Sequence, residues 1–336
     1  MKHLPEVDLT YDPLTRILYG AVRSKLLLTA IGLGVFSHLT SSKSAETLAR
    51  ELETHVDNTR LLLDALVAND VLQKKNGKYT NTRLADAFLV KNRPTYLGDE
   101  LVCLAGYMSP ALEDMSSLVI NGPSPRGCPM SPLARAAETE ISGNYQRAGR
   151  AQQAAAIVSG LPEFASLKKM LDLGGGAGLI ALAIVAAHPS MSGVVFDRPE
   201  VVEVAQRFIR QYELEDRVKV MGGDFMKDSI GDNYDLVWTS SVLGRGNLES
   251  LLPKIYMSLA PGGIHVNLGE GLTHERTQPA ATINSMLAVC LRSGDSLFEE
   301  GEVARAMKRA GFRSVESRAI ADPQACGATT VDIARK

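Results

Sequence analysis

Residues 171–178 read LDLGGGAG, and the next acidic residue beyond an apolar run is Asp197, in GVVFD, about twenty positions on. That spacing belongs to a nucleotide-binding βαβ unit. Met170 to Leu173 reads as a short apolar strand, the glycines as a tight turn, and Ile180 to Ala187 as an apolar, alanine-rich helix. A ligand can therefore lie against bare backbone at the start of that helix. This one stretch commits the chain to an α/β architecture.

The dinucleotide fingerprint G-x-G-x-x-G needs glycine at 179, where this chain has Leu179; its own pattern is G-x-G-x-G at Gly174, Gly176 and Gly178. A pyrophosphate is less well served without the last glycine. S-adenosylmethionine (SAM), a zwitterionic amino acid joined to adenosine with no phosphate, fits the spacing better. Asp197 closes the second strand, where it can accept from both ribose hydroxyls. Val218 to Met221 reads as a third strand, followed by Gly223-Asp224-Phe225, where a carboxylate can meet the adenine amino group. The candidate cofactor-binding set is Asp172, Gly174, Gly175, Gly176, Gly178, Asp197, Arg198, Gly223, Asp224, Phe225 and Thr239.

Bulk properties exclude several classes. The chain has 336 residues, enough for two domains, with 45% apolar content and mean hydropathy near zero. The most apolar window, Leu26 to Phe36, is too short to cross a bilayer. A net charge of −2 lacks the basic field of an electrostatic nucleic-acid binder. Cys103, Cys128, Cys290 and Cys326 have no metal-ligand spacing and read as reduced thiols of a cytoplasmic protein, so no metal is expected.

Three regions follow along the chain. Residues 1–95 are helical with a polar hairpin. Val22 to Phe36, Ser44 to Leu52 and Asn58 to Asn69 have amphipathic spacing, and Lys74-Lys75-Asn76-Gly77-Lys78 sits as a wing would. Residues 96–153 form a helical connector interrupted by a Pro- and Gly-rich loop at Asn121 to Pro132. Residues 154–336 alternate strand and helix, ending in strands at Ser314 to Ile320 and Thr329 to Ala334. A wing invites a DNA-binding reading, but the helix before it offers Arg60 against Asp57 and Asp64 and is otherwise mostly leucine and alanine, so it looks like a packing surface.

The ordered runs LDLGGGAG, FDRPEVV, GGDF, YDLVW and LAPGG resemble those of the small-molecule O-methyltransferases of the caffeate, acetylserotonin and bacterial polyketide type. Ahead of them, SKLLLTAIGLGVFSHL, SAETLARELETHVDNTRLLLDALVANDVL and GKYTNTRLADAFLV are similar to that family's N-terminal winged-helix dimerisation domain. The resemblance covers nearly the whole chain. It implies a Rossmann-like SAM-binding domain behind a mainly helical dimerisation domain, an intertwined homodimer, and methyl transfer to a small, largely apolar molecule.

The family's general base is a histidine just after the fourth strand. Here that position falls on Gly244 and the following aspartate on Arg245. Glycine has no side chain to take a proton, and arginine is always protonated. Candidates to compensate are Glu270, which matches the family's supporting acid within one position, and His274 just beyond it; Arg245 either orients an acceptor carboxylate or carbonyl or lies at the surface. His265, on the fifth strand, reads as a packed residue. Tyr145, Met108, Met286 and Cys290 are the candidate acceptor contacts, with Met115 and Met130 adding adaptable apolar surface. Loss of the base leaves three routes: an acceptor needing little deprotonation, a different base, or a reaction that retains SAM as a fixed charge.

Overall fold

The computed structural model describes residues 4, 7–123, 131–322 and 327–336, with backbone alone at 321–322 and 327–328. Cys128, Met130, Cys326 and most of the Pro- and Gly-rich loop lie outside the described residues. Two compact units divide between Val102 and Cys103. The expected boundary at 95/96 thus shifts into the continuous Gly98–Glu113 helix. The expected 96–153 connector is not a separate body, because Ala151, Ala154 and Val158 of its last helix are buried in the core of the second unit.

In the first unit, helices Asp12–Gly32, Val35–His38, Ala45–Glu51, Val56–Ala68 and Arg83–Phe88 surround a hairpin of Leu72–Lys75 and Lys78–Asn81. The helix expected from Val22 begins ten residues earlier, at Asp12-Pro13, where proline suits the first turn. It stops before Phe36 because Gly34 takes φ of 71° and restarts the chain in a short helix. Ser44 caps the next helix by accepting from the Thr47 N–H. Asn76 and Gly77 both have positive φ, the two-residue turn that matches strand twist in a tight hairpin. Phe36, Leu39, Leu48, Leu63, Leu66 and Tyr79 form the core.

The second unit is built on a seven-stranded sheet. Its strands are β1 (Lys169–Leu173), β2 (Ser192–Asp197), β3 (Val218–Gly222), β4 (Tyr234–Ser240), β5 (Leu259–Gly269), β6 (Ser314–Asp322) and β7 (Gly327–Arg335). Their order is β6-β7-β5-β4-β1-β2-β3, parallel except that β7 runs antiparallel to both β5 and β6. Alternation along the strands sends Met170, Leu236, Trp238, Ile264 and Val266 to one face, under the helices Ala151–Ser159, Leu179–Ala187 and Pro199–Gln211. Leu171, Leu173 and Val237 go to the other, under Leu248–Ser258 and Glu302–Arg309. Leu179–Ala187 is buried on nearly every side, as its uniform apolarity requires. Ala260–Gly263 is an irregular stretch within β5, between the pairs Tyr234↔Leu259 and Leu236↔Ile264. Strand order reverses between β1 and β4, the place where open α/β sheets bind ligands beyond their strand ends.

Candidate active site

The glycine turn after β1 is held from three sides. Gly174 has φ of 70°, and a Cβ there would lie 2.5 Å from Val242 Cγ2. At Gly175 a Cβ would meet Val195 at 2.8 Å and the Asp172 carboxyl at 2.9 Å. Asp172 is 2% exposed, and its Oδ2 accepts from the Ala181 N–H at 3.2 Å, inside the first turn of the following helix. Burial is the main reason its carboxyl is pushed up to about 7, with the neighbouring Asp197 adding to it. Asp172 therefore supports the turn from beneath and also touches the smaller of two cavities.

Asp197, half-buried at the end of β2, accepts from the Gly176 N–H through Oδ2 at 2.9 Å and from the Arg198 N–H through Oδ1 at 2.7 Å. Burial raises its pKa, against those two N–H donors. Each oxygen keeps a second lone pair. Arg198 itself is exposed and contributes its backbone. Gly223 donates to the Asp197 carbonyl at 2.9 Å, which brings the β3 turn beside the glycine turn. The Asp224 carboxylate is turned into its own loop. It accepts from the Met226 N–H at 3.0 Å, which chiefly holds its pKa below the usual range, and lies 3.5 Å from Lys227. Phe225 packs partly buried on the core. Thr239 is fully buried, its hydroxyl spent on Asn267 Oδ1 and His265 Nε2, each at 2.9 Å. It does not reach either cavity; Ser240 and Ser241, next along the chain, line both.

The smaller cavity, about 190 Å³, has Tyr145, Gln146, Gly174 and Gly175 in its wall. Tyr145, a candidate contact from the sequence, lies here, beside the glycine turn. Gln146 and Arg150 line it too, though the sequence singles out neither. Gln146 Oε1 accepts from the Leu179 N–H at 3.1 Å while its Nε2 donates to the Gly175 carbonyl at 3.3 Å, so one side chain ties the turn to the helix it opens. It starts a single π-helical turn, Gln146–Arg150, inside which Gly149 has φ of 140°. Arg150 donates to the Tyr145 hydroxyl at 2.5 Å and lines both cavities.

The larger cavity, about 390 Å³, is walled by Val242, Leu243, Met286, Leu297, Phe298 and Val303, with Gly244, Glu270, Asn267 and Asp332 among its other residues. Nothing lies within 4 Å of where a Gly244 side chain would start. Of the candidate acceptor-side residues, Glu270 and Met286 line this cavity. Four other candidates do not. Arg245 donates to the Leu297 carbonyl at 2.9 Å and pairs with Glu302 at 2.9 Å, so its charge fastens a neighbouring loop. His274 is exposed with φ of 51°, its Nδ1 2.9 Å from the Thr273 hydroxyl. Met108 packs with Ala111, Leu118, Ala288 and Leu291 in a separate small cluster. Cys290 is half-buried with its Sγ 3.7 Å from the Ser296 hydroxyl.

Comparison with known proteins bears on both units. Residues 146–313 match the O-methyltransferase domain, and residues 15–91 match the O-methyltransferase dimerisation domain. This chain belongs to the O-methyltransferase family. It is 26% identical, over 96% of its length and 95% of the relative, to the tetracenomycin polyketide synthesis 8-O-methyltransferase of Streptomyces glaucescens. It is 29% identical to an N,N-dimethyltransferase of Streptomyces rimosus, over 89% of each chain. The fold is also that of the human N-acetylserotonin methyltransferase structure in complex with SAM, with TM-score 0.82, 23% identity and 99% coverage of each chain. The protein is a SAM-dependent methyltransferase. Its turn fits that cofactor, because a backbone cradle that tolerates no Cβ at Gly174 or Gly175 adjoins a cavity and a carboxylate with free lone pairs. No helix among the described residues is long and apolar enough to cross a membrane.

Proposed function

We propose that this enzyme methylates a small, largely apolar acceptor held in the larger cavity, and that the attacking atom ionises by its own acidity. Gly244 carries the reading: the position that holds the base in the resembling family has no side chain here and open space above it. Arg245 and His274 are engaged elsewhere, which supports the same conclusion. When bound, SAM supplies an activated methyl group on a sulfonium, so the protein has chiefly to align and to exclude water. The glycine turn and Tyr145 would hold the amino-acid end, Asp197 the ribose, and the Gly223–Phe225 turn the adenine. Arg150, Ser240 and Ser241 line both cavities, and the nucleophile belongs at that junction.

An acidic phenol, an enol, a thiol or a carbon nucleophile needs little help under these conditions. An ordinary phenol, with pKa near 10, leaves only about a thousandth as anion at pH 7. Acceptor chemistry of the polyketide or amine kind, suggested by the Streptomyces relatives, suits the apolar wall. Glu270 is the alternative base, since it is among the residues that line the cavity. The matched dimerisation domain supports a homodimer, and Leu14, Ile17, Leu18, Tyr19 and Val22, all exposed on one helix, supply an apolar face for it.

The test is a rate–pH series with 4-nitrophenol and 1-naphthol as acceptors, read as S-adenosylhomocysteine release. The rate should track the ionised fraction of each acceptor, flat above neutral pH for the first and still rising toward pH 10 for the second. A roughly hundredfold loss in Glu270→Gln with SAM binding intact would instead assign the proton to Glu270.

A further inference from the structure

Asp332 stands out in the wall of the larger cavity. It lies on β7, in register with Asn267 on β5 and Ser317 on β6, and is 4% exposed. Its Oδ1 accepts from the Ser317 hydroxyl at 2.6 Å, and its Oδ2 has a single long contact, 3.5 Å from Asn267 Nδ2. A carboxylate offers about four acceptor sites, so this group is under-used on the side of Oδ2.

The residues behind it are all neutral. Thr239 donates to Asn267 Oδ1, which leaves His265 Nε2 to donate to the Thr239 oxygen. Burial pushes His265 down to about 3, so the imidazole carries no charge near neutral pH. The row Ser317, Asp332, Asn267, Thr239, His265 thus runs across four strands and supplies dipoles without a cation. Among the described residues, none forms an ion pair with Asp332. Of the other charged residues in the cavity wall, Glu270 and Glu299 are acids, and Arg150 donates to Tyr145 and Gln153. Burying a carboxylate without a counter-charge is costly, and a cation arriving with the ligand offsets that cost.

We propose that Asp332 is a specificity residue of the acceptor cavity, recognising a basic nitrogen carried on an otherwise apolar acceptor. The inference rests on the reading that the acceptor occupies this cavity. The wall fits such a molecule: an apolar body lies against Val242, Leu243, Met286, Leu297 and Phe298, with one ammonium at the carboxyl. Burial raises the Asp332 pKa, and a bound ammonium draws the group into its ionised form. The nitrogen serves as a handle that holds the acceptor while another of its atoms is methylated.

Three probes of one shape test this on the full chain loaded with S-adenosylhomocysteine: 1-naphthylmethylamine, 1-naphthalenemethanol and 1-ethylnaphthalene, with dissociation constants from ligand-observed NMR near neutral pH. The amine should bind about tenfold or more tighter than the ethyl compound, with the alcohol between them. Asp332→Asn should bring the three within about threefold while leaving S-adenosylhomocysteine affinity unchanged, and Glu270→Gln should preserve the amine's advantage. Equal binding of the three by wild type overturns the proposal, as does an advantage that survives Asp332→Asn or vanishes in Glu270→Gln. Should Asp332→Asn fail to fold, the wild-type ranking and Glu270→Gln still decide. No turnover is needed, so selective amine binding without methylation of any acceptor leaves this inference standing while the proposed function falls.

Discussion

Replacing Asp197 by alanine removes two things at once, and the structure separates them. The first is internal: the Gly176 and Arg198 N–H groups lose their acceptor. The site is half-buried, so water recovers part of each bond, and the loss of stability is about 1–3 kcal/mol in all. For a unit of this size that lowers the melting temperature by roughly 2–10 °C. The second is the cofactor: each ribose hydroxyl donating to a carboxylate contributes about 1.5–3 kcal/mol. Loss of even one is tenfold or more in the dissociation constant, at about 1.4 kcal/mol per decade. Asparagine is no rescue, because the two N–H groups approach different carboxylate oxygens, and an amide must point its own NH₂ at one of them. Calorimetry with SAM, run well below the melting temperature of each variant, reads the second effect without the first. A dissociation constant for Asp197→Ala within about threefold of wild type would refute the placement of ribose at this carboxylate.

Burial lifts Asp172 to about 7, well above the unfolded value near 4, so the folded chain holds a proton that the unfolded chain has released and stability falls as pH climbs between those values. Asp172→Asn keeps the acceptor for Ala181 and should gain about 2–3 kcal/mol on wild type between pH 5 and pH 8 in urea unfolding; parallel curves would refute it. A Cβ at Gly244 meets nothing within 4 Å, and Gly244→His should speed methylation of 1-naphthol at pH 7 by about a hundredfold while changing 4-nitrophenol less than about threefold; equal gains on both would separate the residue from proton transfer. His274→Ala should leave kcat/KM within about twofold, since the ring is exposed and held by Thr273; a large loss would restore it as a base. Light scattering should give a dimer for the full chain, and charged residues at Ile17 and Leu18, which are 74% and 72% exposed, should yield monomers with SAM affinity retained; a monomeric wild type ends the assembly argument.

The parts of the site that could be read from sequence are those made by neighbours in the chain. LDLGGGAG is a strand, a turn and a helix start within eight residues, and Asp197 and Gly223 follow at strand ends that apolar runs mark plainly. The empty base position at Gly244 was legible for the same reason, one residue after another beyond β4. What stayed hidden depends on pairing between distant segments. The sequence around Arg245 leaves an acceptor role open, because Glu302, which takes its charge, lies 57 residues on. Thr239 alternates with Ser240 at the end of β4, and only the pairing of β4 with β5 sends its hydroxyl to Asn267 and His265. Asp332 carries one weak signal, an acid between Val331 and Ile333 in a strand-like run, which by period-two alternation belongs on the opposite face from those two. Its meaning required the register of β7 against both neighbours. A lone acid in an edge strand is solvated, whereas here β6 lies outside β7 and seals the carboxyl between Ser317 and Asn267. The antiparallel strand inserted between β5 and β6 is therefore what turns an ordinary aspartate into part of the acceptor wall.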